Sequence, residues 1–367
     1  MKNRYIVSIL VILSLSVCAP ATYSQDMNYS QYFSTPIYYN PAYTGINTGV
    51  RARFLFRDQW PTLPTPFKSY YFSADLGDRN IPGSGGFGIM INQDKLGPGS
   101  ISNFGAALTI GVRIPITGYM VSQIGVKAGI MQRSINWNDL VFTNMLDPKH
   151  GNTGVSDFNP PDGNKRTVPD FGVGGVLQFV NPQGNMSGNI GLAVDHIFKP
   201  DVSFLTTGSS SYPRKWVGQA DLIFSTGQGY SSSSSMSRGV DEPLKINLGA
   251  IYQNQASLNS LQVGINLLKY NIYIGGWYKT TMTGVMNNVG ALVAGYRYTF
   301  YEDMSIKFMY SYDLQISGPQ QGTGGAHEIS LILEFDKIQV FGGGGGGGFV
   351  PGSNRKNGGP MECPTFY

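Results

Sequence analysis

The chain has 367 residues, a formal charge of +4, 13% charged and 13% aromatic side chains, and 49 glycines. Charge stands at about half the share of an ordinary soluble domain, and no stretch beyond the N-terminal leader approaches the ~18 apolar residues of a membrane helix. Only Cys363 lies outside that leader, which excludes an internal disulfide and a zinc site of the usual kind.

Lys2 and Arg4 precede an apolar run over residues 6–17, and Thr22-Tyr23-Ser24 invites cleavage before Gln25. This is the pattern of a secretory signal peptide, residues 1–24, too short to span a membrane as a helix. Cys18 raises lipid anchoring as an alternative, but Val17 fits poorly the small residue that such processing prefers. Residues 25–48 are aromatic and proline-containing, so they are expected on the periplasmic side as a plug, packed into or under a barrel formed by the rest of the chain.

From residue 49 the pattern changes to alternation. A period of two over about ten residues marks a strand with one apolar and one polar face, long enough to cross a bilayer when tilted. Strands are expected near residues 49–60, 67–77, 84–94, 101–114, 119–133, 169–181, 186–197, 212–226, 243–254, 258–268, 270–280, 288–300, 303–314 and 325–336. In the first, Ala52, Phe54 and Phe56 oppose Arg51, Arg53, Leu55 and Arg57. In the last, Ile329, Leu331, Leu333 and Phe335 oppose Glu328, Ser330, Ile332 and Glu334. A charge placed at Leu331 is therefore expected to meet lipid, and one at Ser330 to be far milder.

One such hairpin alone would equally suit a soluble β-sandwich. A secreted chain poor in charge and rich in glycine and aromatic residues points instead to the membrane, where strands must close because lipid offers an unpaired edge no partner. The fold class is all-β, a transmembrane antiparallel outer-membrane barrel of about 14 strands over residues 49–336. An even count returns the chain to its starting side, so both termini are expected in the periplasm. Short inner turns fall near 78–83, 115–118, 181–185, Lys269 and 301–302, and longer outer loops include 134–168, 198–211 and 314–325. The Ser-rich connection 226–242, with its run Ser231–Ser235, is long on the inner side and breaks the rule.

Catalytic chemistry finds no constellation. His150, His196 and His327 lie apart, and Asp157 and Asp162 match no calcium loop. Glycine runs such as 83–88 and 172–175 lack the lysine and helix of a phosphate cradle and are read as close strand contacts. His327-Glu328 reads as a hydrogen-bonding pair at a loop edge. No cofactor and no enzyme activity are expected. Arg51, Arg53 and Arg57 are expected in the lumen, paired with acids such as Asp75, Asp94 and Glu334 or, as the alternative, forming an electropositive surface for a partner segment, and Tyr71, Tyr273 and Trp277 should help fill it. The tail, residues 337–367, carries seven glycines, Gly342–Gly348, and ends with Cys363, Pro364, Phe366 and Tyr367, a tethered partner-binding segment.

Several short motifs together resemble one family. Asn40-Pro41-Ala42 with Gly45 precedes Arg57, Gln59 and Trp60; Asp94 with Gly97, Trp137 to Leu140, Pro169 to Gly172, and His196 to Pro200 come next; Tyr312-Asp313 and His327-Glu328 close the series. In that order they look like the PorP/SprF outer-membrane proteins of the Bacteroidetes type IX secretion and gliding system, over essentially residues 25–336. The resemblance implies a non-enzymatic barrel in outer-membrane lipid, with the secretion machinery and a large secreted adhesin bearing a C-terminal secretion signal as partners and no nucleic acid. The glycine run and the Ser-rich turn match no family pattern. A diffusion porin or solute transporter is the alternative that a barrel alone would equally allow.

Overall fold

The computed structural model describes residues 26–78, 85–97, 101–147, 149–154, 156, 163–204, 210–226, 243–282, 287–301, 304–318 and 322–336. The signal segment, the run Ser231–Ser235, Asp157, Asp162 and the tail from residue 337 lie outside them.

Fourteen antiparallel strands close into one barrel. They are β1 (Gly49–Gln59), β2 (Phe67–Gly77), β3 (Gly86–Leu96), β4 (Ile101–Thr117), β5 (Met120–Ser134), β8 (Lys165–Val180), β9 (Met186–Asp195), β10 (Lys215–Ser225), β11 (Lys245–Gln255), β12 (Leu258–Lys269), β13 (Ile272–Thr281), β14 (Asn288–Tyr301), β15 (Met304–Ser317) and β16 (Ala326–Phe335). Each pairs with its neighbours in sequence, and β1 pairs with β16 to seal the seam. The expected barrel class and strand number are borne out.

Alternation explains the two surfaces. On β1, Arg51, Arg53, Leu55 and Arg57 are buried inside, while Phe54 is 43% exposed on the outer face. On β16, Glu328, Ser330, Ile332 and Glu334 are buried, while Ile329 faces out. Leu108, Leu192, Ile274 and Leu292 likewise stand on the outer surface, as a lipid-facing band requires. Among the described residues no helix is long and apolar enough to cross a membrane.

Local chemistry sets several boundaries. Tyr270 and Asn271 both take positive φ, 50° and 66°, giving the tight two-residue reversal between β12 and β13 that matches strand twist. β8 begins at Lys165, earlier than the expected 169, because Lys165, Arg166 and Thr167 extend the ladder opposite Ser134, Arg133 and Gln132. The expected loop 134–168 is therefore shorter. It carries single turns at Trp137–Asp139 and Thr143–Met145 and a small hairpin, β6 (Leu146–Asp147) with β7 (Gly151–Asn152).

Residues 26–48 run through the lumen. Short turns at Tyr32–Ser34, Pro36–Tyr39 and Pro41–Tyr43 are wholly buried there. Tyr29, Tyr32, Phe33, Ile37, Tyr38 and Tyr39 pack against Tyr71, Val176, Ile251, Tyr273 and Trp277 of the wall. Tyr32 meets Trp277 edge-on at 5.2 Å and Tyr29 meets Tyr38 at 5.2 Å, a geometry worth about 0.5–1.5 kcal/mol per pair beyond area burial. The expected lumen-facing positions of Tyr71, Tyr273 and Trp277 match the structure.

The direction of this segment is a correction. Asp26 lies beside His196 and Gln255, at the end of the barrel where β9 and β11 finish, whereas Gly45 abuts Gly86 at the end where β3 begins. Gly49 and Phe335 occupy that second end as well. The described chain therefore starts and finishes at opposite mouths, and the expectation of both ends on one side does not hold for Asp26. Strand parity places only Gly49 relative to Phe335; it says nothing of a leading segment that threads the pore.

Candidate functional site

The lumen is the candidate site, and three sets of contacts hold residues 26–48 in it. At the mouth reached by Asp26, the Tyr212 hydroxyl donates to Asp26 Oδ1 at 2.7 Å, Lys215 Nζ lies 3.3 Å from Oδ2, and the Asp26 backbone N–H donates to Gln255 Oε1 at 2.8 Å. His196 bridges Asp26 Oδ2 at 3.0 Å and Asp170 Oδ1 at 2.7 Å. Burial alone would lower the His196 imidazole, but the two carboxylates override it and raise it to about 9, so both ring N–H groups donate at neutral pH. Burial pushes the Asp26 carboxyl up, yet His196, Lys215 and Tyr212 together hold it well below the usual carboxylate range.

Just inside the same mouth, Arg57 is the centre of a second set. Its guanidinium bonds Glu328 and also Asp313, at 2.9 Å to Oδ2, with all three side chains almost fully buried. Glu328 in turn accepts the backbone N–H groups of Ser30 and Gln31, each at 2.8 Å, and Asp313 accepts the Ser30 hydroxyl at 2.7 Å. Buried charges persist only when paired and hydrogen-bonded, and these are both.

Near the other mouth, the Asn40 side chain caps the turn Pro41–Tyr43 by accepting the Ala42 N–H at 2.9 Å. Its amide also donates to the carbonyls of Gly175 at 3.2 Å and Leu192 at 3.4 Å. Glycine makes the approach possible: a Cβ on Gly174 would run into Asn40 Oδ1, and one on Gly125 into the backbone of Pro41 and Ala42. Gly45, at φ +63°, passes Gly86 too closely for any side chain on either, and its N–H donates to Asp75 Oδ2 at 3.0 Å. The glycines expected to ease strand contacts thus also admit the segment to the wall.

Of the motif residues, Asn40, Pro41, Ala42, Gly45, Arg57, Asp313, Glu328 and His196 meet at contacts between segment and wall. Gln59 accepts from Arg57 Nε at 3.3 Å, at the edge of that set. Trp60 packs on Phe67 at 4.9 Å, and Gly97 takes positive φ near the same ring. Trp137 contacts Phe204, the Leu140 N–H bonds the Trp137 carbonyl, and the Pro200 carbonyl accepts from Tyr212. These lie in the loops. Cys363, Pro364, Phe366 and Tyr367 lie outside the described residues.

Two expected pairings are corrected. Arg53 pairs with Asp75 and Arg51 with Glu334, as expected, but Asp94 stands opposite Ser69 and Asn103 and forms no ion pair with the arginine row. His327 and Glu328 do not bond each other, because consecutive strand residues point to opposite faces. His327 Nδ1 meets the Tyr310 hydroxyl at 2.8 Å on the outer side, and Glu328 points inward. Sequence reasoning missed Asp26, Lys215 and Tyr212, and singled out Asp170 only as part of the motif Pro169 to Gly172. The signal available was a charged residue at a lumen-facing strand position, as in Lys127, which pairs with Asp195 at 2.7 Å.

A closed, lipid-banded barrel with its lumen occupied by its own N-terminal segment is an outer-membrane-type protein. A family model described as type IX secretion system membrane protein PorP/SprF matches residues 21–333, and the chain belongs to that family. No curated protein matches it. Among solved structures it is similar to the Acinetobacter baumannii outer membrane protein Omp33, at 7% identity and TM-score 0.38 over 80% of this chain and 100% of that one. It is also similar to a Pseudomonas aeruginosa FadL homologue, at 12% identity and TM-score 0.40 over 78% and 89%.

Proposed function

We propose that this barrel is a non-enzymatic component of the type IX secretion and gliding machinery that helps export, or holds at the surface, a large adhesin carrying a C-terminal secretion signal. The observation that supports it is the occupied lumen. Residues 26–48 fill the path a solute would take and are fastened to the wall by buried ion pairs and backbone hydrogen bonds. Solute diffusion needs an open lumen; an interaction role does not.

In this reading the mouth with long connections faces outward, so Gly49, Phe335 and the tail lie on the periplasmic side and Asp26 sits at the outer mouth. Residues 1–24 are removed, residues 49–336 form the barrel, and residues 337–367 reach the periplasmic machinery through the glycine tether, with Cys363, Pro364, Phe366 and Tyr367 as contact residues. The loops near Trp137, Leu140 and Pro200 present the surface to the exported protein.

Gene deletion tests this. Outer-membrane permeability should stay nearly unchanged while one class of secreted surface protein is lost from the cell, and removal of residues 342–367 alone should give a folded barrel with the same defect. Loss of uptake of a small solute with the surface proteins retained would establish the transporter instead.

A further inference from the structure

A cavity of about 230 Å³ remains in the lumen at the mouth where Asp26 sits, between the threaded segment and the ends of β1, β12, β13, β14 and β15. It exceeds the ~150 Å³ known to admit a benzene ring. Its polar lining includes Gln59, Lys279, Asn287 and Asp313, with Trp60 at the rim.

The lining is unevenly supplied with donors. Lys279 Nζ donates to the Asn28 carbonyl at 3.1 Å and forms no ion pair among the described residues. An ammonium carries three donors, so two are uncommitted. Arg57, by contrast, is engaged by Glu328 and Asp313. Gln59 Oε1 already accepts from Arg57, and Asn287 Oδ1 from Gln315, which leaves the NH₂ ends of both amides to serve the cavity. Asp313 is engaged by Arg57 and the Ser30 hydroxyl through Oδ2, and its Oδ1 is closed off from the cavity. A cation with two amide donors beside it suits a ligand that brings an anion.

We propose that this cavity binds a C-terminal carboxyl group. The carboxylate lies on Lys279 with the Gln59 and Asn287 amides beside it. The chemistry stands on the cavity alone. Only the source of the carboxyl group, the end of an exported polypeptide, rests on the function proposed above.

The full-chain barrel, purified in detergent micelles, tests it by calorimetric titration with N-acetyl-alanyl-alanine as free acid and as C-terminal amide. The free acid should bind and the amide at least tenfold more weakly. Lys279→Met should lose the free acid by at least tenfold, and Lys279→Arg should keep most of it. Because acid and amide are compared on the unaltered protein, the test survives if Lys279→Met fails to fold. Equal binding of acid and amide, or no binding of either, overturns the site. A twenty-residue peptide with the same two C-terminal residues should bind as well as the dipeptide; its exclusion would overturn the chain-end assignment in favour of a free small acid. Function and site fail separately: if deletion mutants keep their surface proteins while the acid still binds, the adhesin role falls and the site stands, and the converse pattern sinks the site alone.

Discussion

His196 and Asp26 stand 170 positions apart in sequence, yet His196 Nε2 lies 3.0 Å from Asp26 Oδ2. That bond joins the first described residue to the loop after β9, and it ties the threaded segment to the mouth opposite Gly49. Asp170, Lys215 and Tyr212 complete the cluster around it.

The latch should weaken in alkali. His196 is raised from its ordinary 6.5 to about 9, so its contribution is fully present below about 6.5 and is lost as pH climbs through about 9. Asp26 is shifted the other way, so its contribution is present above about 4 and is lost only in strong acid. The protection of residues 26–31 against hydrogen exchange, taken relative to the base-catalysed intrinsic rate, should therefore fall between pH 7 and 10 in the native barrel. His196→Gln should show low protection throughout with no such fall; an unchanged protection profile would dismiss the latch.

Arg57→Met should free the segment without unfolding the barrel. It leaves Glu328 and Asp313 as buried carboxylates with no guanidinium, a loss of about 3–5 kcal/mol concentrated where Ser30 and Gln31 are held. Planar-bilayer recordings should show a steady conductance absent from the native protein, with heat-modifiable migration intact.

Two adjacent glycines should respond oppositely. Gly174→Ala puts a methyl group into Asn40 Oδ1, whereas Gly175→Ala meets nothing nearer than the Gln123 carbonyl at 3.9 Å. Limited proteolysis within residues 30–45 should appear in the first variant and not in the second.

Leu331 and Ser330 test the two faces of β16. Leu331→Arg carries a charge to the lipid side and should cost about 2–4 kcal/mol, seen as loss of folded barrel on heat-modifiability gels. Ser330→Arg should not be the mild change that alternation alone implied. Ser330 Oγ donates to Gln31 Oε1 at 2.7 Å, so an arginine there should eject the segment and open a conductance while the barrel stays folded.

The walls were legible because a membrane barrel writes both of its surfaces into every strand. Arg51, Arg53 and Arg57 against Ala52, Phe54 and Phe56 set the facing of β1 by alternation alone. The occupied lumen was only half legible. Tyr29 to Tyr43 announced an aromatic segment with somewhere to pack, but its route depends on partners such as Glu328 and Asp313, which no local pattern connects to Ser30. Gly174 shows the same limit. A glycine in a strand reports a close approach without naming what approaches, and here it is Asn40 as well as a neighbouring strand.

The threaded segment also imposes an order on biogenesis. A polypeptide made and exported from its N-terminus delivers Tyr29 to Tyr43 first, whereas Asp313 and Glu328, which secure it, lie on β15 and β16 and arrive last. Until the seam between β1 and β16 forms, a dense patch of tyrosine travels through the periplasm with no wall to cover it. Closing the cylinder therefore completes the seating of its occupant. A chaperone that shields aromatic surface in transit would have to let go at the moment the final hairpin docks.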